Sequence, residues 1–296
     1  MRSRFLLLFL LPLASLWAQD DLLAELASME PFPAKQYAFA TFKGTKVVNG
    51  ATVEMPGAGV GQFIIGHRFG AINDRPLFNL FGIDVAQIRF EYSYNPIPWL
   101  NLGIGRSSGS KTYDAFSKVR LLRQSKGGTG FNSPFTVVWY ASNTVATSPF
   151  IDGLEHPFSD RLTYVQQVII ARKINERISL QASPTLVYYN LDPFGNKAKN
   201  QFGLGLSGRL KLGQRSALTA ETMLRQTPFE DTFMPLSVGF DVETGGHVFQ
   251  FHLTNAQSLA DPEWMMQTPG SWSRADLYLG FNISRVFTHR SPRARR

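Results

Sequence analysis

The chain has 296 residues, a formal net charge of +8, 24 Phe and no Cys, yet its mean hydropathy is only -0.11. The absence of thiols excludes disulfides, thiolate metal sites and a Cys nucleophile. After the first twenty residues no run of about 18 apolar residues occurs, so no helical membrane span is expected in the body and the apolar residues must be interleaved with polar ones.

The N-terminus reads MRSRFLLLFLLPLASLWAQD, with Arg2 and Arg4 ahead of an apolar core from Phe5 to Leu13 and Ala18 as a cleavage point. That is the layout of a secretory signal peptide over residues 1–18. Residues 19–58 contain the alternating stretch QYAFATFKGTKVV, which reads either as a periplasmic or lumen-associated segment or as part of two extra strands. From 59 to 287 the alternation recurs. In QIRFEYSY, Ile88, Phe90, Tyr92 and Tyr94 share one face and Gln87, Arg89, Glu91 and Ser93 the other. NQFGLGLSGRLKLG, PLSVGFDVE, VFQFHLT and LYLGFNISRVF repeat this pattern, with further candidate strands at 59–69, 98–107, 112–124, 134–146, 160–173, 176–189 and 214–225. The segments 112–124 and 160–173 alternate less cleanly, and VQQVIIA is hard to place by itself.

Tight turns are expected at Asn95 to Pro98, Asn175 to Glu176, Gly213 to Gln214 and Gly245 to Gly246, with a somewhat longer one at SKGGTGFNS. Longer links fall between them, near 70–83, 147–159, 190–198, 226–233 and 256–272. Short turns at one end and long loops at the other, with charges and glycines on one strand face, indicate an all-β fold. The expectation is a single transmembrane antiparallel up-and-down β-barrel over 59–287 of about twelve strands, or about fourteen if the N-terminal stretch joins it. Apolar faces would then meet outer-membrane lipid, and a secreted soluble sandwich would need the opposite arrangement. The tail, 288–296, is basic, but its charge is not interleaved with aromatics on a continuous surface, so nucleic acid is not an expected partner.

The blocks TFKGTKVVNG (41–50), FIIGHRFG (63–70), NLFGID (79–84), GIGRSSGSKTYDAFSKVRLLRQ (103–124), GHVFQFHLTNAQ (246–257) and GFNISRVF (280–287) resemble the signature blocks of a Bacteroidota-type outer-membrane β-barrel family of unknown function. The resemblance implies a barrel in the bacterial outer membrane and brings no substrate, cofactor or catalytic residue with it.

No enzyme is expected. The His and Ser pair His289 and Ser291 lies beyond the last strand and cannot build a rigid nucleophilic site. His67 sits on the apolar parity of its strand, and no second ligand stands at a metal-like spacing. His252 faces the lumen and fits a hydrogen-bond network. GAGVGQ and GLGLSG lack the Lys of a phosphate loop, so neither a metal nor a cofactor is expected. By parity the lumen receives Arg68, Arg89, Lys118, Arg120, Arg209, Lys211 and Arg225, together with Glu91, Asp114, Glu221, Asp241, Glu243 and Asp276. Mixed signs suggest pairing across the lumen rather than facing rows of one sign. Two loops, 76–84 and 258–272, are unusually apolar and could plug the mouth, rest among headgroups or dock an envelope partner. The expected function is a porin-like channel for small polar solutes or ions; the rival is a closed barrel acting as a docking or scaffold protein.

Overall fold

The leucines and phenylalanines of the alternating stretches stand on the outside of a closed barrel. A computed structural model describes residues 34–150, 153–191 and 197–289; the expected signal peptide and the tail from 290 onward lie outside them. Among these residues β1 (Val60–Ala71), β2 (Ala86–Ile97), β3 (Leu100–Ser107), β4 (Thr112–Leu122), β5 (Thr136–Ala146) and β6 (Leu162–Lys173) form one half of the wall. The other half is β7 (Ile178–Leu191), β8 (Lys197–Lys211), β9 (Ser216–Arg225), β10 (Leu236–Thr244), β11 (His247–Thr254) and β12 (Tyr278–Thr288). Each strand pairs with its sequence neighbours, and β12 closes on β1 through Phe281 opposite His67 and Thr288 opposite Val60. Closure at twelve strands satisfies every ladder and leaves no free edge, a condition that hydrocarbon imposes on any sheet that crosses it.

In β12 the buried set is Tyr278, Gly280, Asn282 and Ser284, while Leu279 is exposed. The same parity holds in β11, where Gln250, His252 and Thr254 are buried and Phe251 is 54% exposed. The turns β2–β3, β6–β7, β8–β9 and β10–β11 are short and share one end of the barrel with the start of β1 and the end of β12; this is the periplasmic end of an outer-membrane barrel.

The fourteen-strand alternative is not formed. Of QYAFATFKGTKVV, only Gln36–Tyr37 enters a ladder, pairing with Ser125–Lys126 of the β4–β5 connection, and Phe42, Val47 and Val48 are buried inside the barrel. The irregular alternation of β4 to β6 has the same cause. Phe116, Val138, Tyr140, Ile169 and Ala171 point inward and pack on Phe42, Val47, Ala51 and Val53, so this part of the wall is apolar on both faces and no single parity stands out.

Inward glycines make room for these neighbours. A Cβ on Gly103 would lie 2.2 Å from the Phe116 ring, and one on Gly105 would lie 2.3 Å from the Arg89 guanidinium. Gly103→Ala is therefore expected to cost about 1–3 kcal/mol through overpacking. Denaturant unfolding of the refolded protein, followed by the gel-mobility shift on heating, measures it; an unchanged midpoint would show that Phe116 has space to move.

Candidate functional site

The lumen is filled by two inserts, one from each end. From the periplasmic end comes a hairpin whose tip reads KVVNGAT. Lys46 bridges Ala51, the Val47 N–H donates to the Gly50 carbonyl at 2.8 Å, and Thr52 N–H donates to the Thr45 carbonyl at 2.9 Å. Asn-Gly between valines is a hairpin signal in its own right; it is the sequence cue that the alternation alone does not supply.

Inward-facing side chains of the wall grip this tip through its backbone. Glu221 on β9 accepts from three consecutive N–H groups, Val48 at 3.3 Å, Asn49 at 2.7 Å and Gly50 at 3.0 Å. Gly50 permits the approach, since a Cβ there would stand 3.1 Å from a Glu221 carboxylate oxygen. Arg68 on β1 donates to the Asn49 side-chain oxygen at 2.6 Å and also contacts His252 on β11. The carbonyl groups are taken up as well. Lys118 reaches those of Thr45, Thr52 and Glu54 at 3.0, 3.2 and 3.4 Å. Asn282 holds Val48 at 2.8 Å, Gln250 holds Val47 at 2.9 Å and Gln181 holds Ala51 at 2.9 Å. Lower down, Arg209 donates to the carbonyls of Ala40 and Thr41 at 2.7 and 3.2 Å. An irregular backbone segment inside a barrel needs such partners, because each buried and unmatched peptide group costs about 1–3 kcal/mol.

From the opposite end the β11–β12 loop turns inward, carrying the short helix α1 (Asp261–Met266). Trp264, Met265 and Met266 pack with Val165, Val187, Tyr189 and Met223 of the wall and with Phe229 of the β9–β10 loop. Asp261 accepts from the Tyr140 hydroxyl, and the Tyr189 hydroxyl donates to the Pro262 carbonyl at 3.1 Å. Between the hairpin, this loop and the wall lies a cavity of about 10 Å³ bordered by Lys46, Asn49, Arg89 and Asn282, room for about one water molecule.

Of the thirteen charges assigned to the lumen by parity, Arg68, Arg89, Glu91, Asp114, Lys118, Arg209, Glu221 and Asp241 are buried there. Arg120, Lys211 and Arg225 are half-buried towards the strand ends. Arg225 donates to the Met266 carbonyl at 3.0 Å and so holds the second insert. Two assignments are corrected. Glu243 is exposed at the periplasmic rim, where it pairs with Lys43, because β10 has already left the barrel interior at that point. Asp276 precedes β12 and belongs to the loop, accepting from Asn73 at 2.8 Å and from the Ser271 N–H at 3.2 Å.

The inward charges do pair, with nearby strands and with the hairpin. Arg89 binds Asp114 in a two-pronged contact from two strands away and reaches Glu91 on its own strand at 3.1 Å. Lys46 of the hairpin completes the group at 3.3 Å from Glu91. Parity could not reveal Lys46, Asn49 or Glu54, since they lie outside the strands. The two apolar loops behave in opposite ways: 258–272 tucks Trp264, Met265 and Met266 inside and does not present them to a partner, whereas in 76–84 Leu77 is 90% and Phe78 74% exposed.

Residues 42–287 match the model of a protein family described as membrane bound beta barrel domain, DUF5777. In structure the chain is similar to the NanC porin, at 8% identity over 77% of this chain and 98% of that one, with a TM-score of 0.48. It is also similar to the KdgM porin in complex with disordered oligogalacturonate, at 7% identity over 77% of this chain and 98% of that one, with a TM-score of 0.45. No curated protein matches the chain. A closed barrel with an apolar outer wall, on a chain matching a membrane-bound barrel family, sits in the bacterial outer membrane.

Proposed function

Because the chain belongs to the DUF5777 family of membrane-bound β-barrels, we propose that it is a gated, porin-like conduit for small polar solutes or ions, closed at rest and opened by withdrawal of the N-terminal hairpin. The observation that carries this reading is how the tip is held. Glu221, Arg68, Lys118, Asn282 and Gln250 bind it by hydrogen bonds, and entering water can take over each of those bonds when the hairpin leaves. The vacated wall would expose mixed charges, which suits small polar solutes better than ions of one sign. The rival is a permanently closed barrel that serves as an envelope scaffold. The apolar contact of Phe42, Val47, Ala51 and Val53 with the wall favours it, since water replaces that contact only at a cost.

A crosslink separates the two. The Asn49 side chain approaches the Ser237 hydroxyl at 3.4 Å, and the chain has no Cys, so Asn49→Cys with Ser237→Cys places a single pair of thiols between hairpin and wall. In a planar bilayer the oxidised protein is expected to be silent and the reduced protein to show discrete conductance steps. A folded, reduced protein that stays silent at all voltages would replace the conduit with the closed scaffold.

A further inference from the structure

The periplasmic end of the barrel carries an exposed basic excess that the other end lacks. At the periplasmic end Arg123, Lys126, Arg172, Arg177, Arg215 and Arg285 are exposed. Among the described residues there, Glu176 and Glu243 are the exposed carboxylates, and Glu243 is already taken by Lys43. At the other end the exposed carboxylates Asp74, Asp84, Glu155, Glu230 and Asp231 outnumber the exposed Arg75, Lys111 and Arg274 among the described residues. No carboxylate pairs with Arg172, Arg177, Arg215 or Arg285 among the described residues.

The arginines are also held in a particular way. Arg172 lies 5.6 Å from the centroid of Phe135, and Arg285 lies 5.2 Å from that of Phe287. Both rings are 40% exposed and stand at strand ends, the level at which aromatic side chains meet headgroups. A ring beneath a guanidinium fixes its plane and leaves its N–H edges free to fork around a phosphate. At the opposite end Arg75, Arg106, Arg161 and Arg274 also cover rings, so stacking is shared by both ends and it is the basic excess that sets the periplasmic end apart; Arg75 in addition pairs with Asp74 at 3.7 Å. The basic residues sit after β4, on β6, in the β6–β7 and β8–β9 turns and on β12, so they are spread around the circumference. A docked protein would meet one side of such a ring, whereas a lipid annulus meets all of it.

We infer that this collar binds the phosphate groups of anionic phospholipids in the periplasmic leaflet and sets the depth of the barrel in the membrane. The wild-type chain, an Arg172→Gln/Arg215→Gln/Arg285→Gln variant and an Arg75→Gln/Arg274→Gln control are refolded into vesicles of phosphatidylcholine, alone or mixed with phosphatidylglycerol. The temperature at which the folded gel band is lost is then read. Phosphatidylglycerol is expected to raise it for wild type and control, and the triple variant is expected to lose most of that shift. Should the triple variant not refold, Arg215→Gln alone, at a turn, gives a smaller loss of the same sign. The inference is overturned if the two vesicle types give equal midpoints or if the variants keep the full shift. It is equally overturned if inorganic phosphate added to phosphatidylcholine vesicles reproduces the shift, which would make the collar a site for free anions.

Discussion

Glu221→Ala is expected to release the hairpin tip and destabilise the protein by about 3 kcal/mol, because three buried N–H groups lose their acceptor together. Glu221 and Arg68 hold Asn49 from two sides, one on its backbone N–H and the other on its side-chain oxygen, so the loss of either leaves the other poorly placed. Water entering the space of the deleted carboxylate recovers part of the cost, which keeps the figure below three full desolvation penalties. Glu221→Gln is the sharper probe. It preserves shape but turns an amide NH2 towards one of the three donors, and it should fall between Ala and wild type. Ser237→Ala removes one long contact of 3.4 Å to the tip and a hydroxyl contact of 2.8 Å to Thr254 within the wall, so it should leave the tip amides protected. Denaturant unfolding reads the stability, and hydrogen exchange at Val48, Asn49 and Gly50 reads the release. If those amides stay protected in Glu221→Ala, the tip is held by its apolar flanks and the carboxylate is incidental.

The gating proposal rests on the same contacts. A hairpin whose hold is loosened at Glu221 should open the conduit more often, so the variant that weakens protection should also raise conductance. A permanently closed scaffold would show the first effect without the second. The two measurements therefore answer different questions about one residue.

The outer half of the wall was legible because lipid imposes one rule on it. Leu279, Phe251 and Phe240 alternate with polar residues, and each is exposed as its parity requires. The inner half follows two rules that the sequence mixes. Where the wall meets water-like backbone, as at Arg68, Glu221 and Lys118, the inward residues are polar and stand out. Where it meets the apolar side chains of the inserts, as at Val138, Val165 and Ile169, they are apolar and hide the period. The fate of the 258–272 loop was not legible for a related reason. Trp264, Met265 and Met266 declare that something covers them, but the cover is Val187, Tyr189 and Met223 on strands distant in the chain. The inward charges could be named from parity, whereas their partners could not, since the hairpin that binds most of them is held by tertiary contacts.

Arg89 is where a structural role for the inward charges is most sharply distinguished from a role in solute selectivity. Its guanidinium lies between Asp114 and Glu91, with Ser107 at 3.3 Å, and all three charged groups are buried. Arg89→Met would leave Asp114 with no cation and Glu91 with Lys46 alone, at an expected cost of about 3–5 kcal/mol. Removing the stranded charge as well, in Arg89→Met/Asp114→Leu, should restore most of that stability, because a well-packed apolar pair often equals a buried ion pair. Arg209→Met, by contrast, removes a donor to Ala40 and Thr41 and strands no buried carboxylate in a direct ion pair, so its loss should be smaller and confined to the base of the hairpin. Equilibrium unfolding of the single and double variants closes the cycle. Were Arg89→Met to alter ion selectivity of the open state while leaving the unfolding midpoint unmoved, the residue would act on passing solutes rather than on the wall that surrounds them.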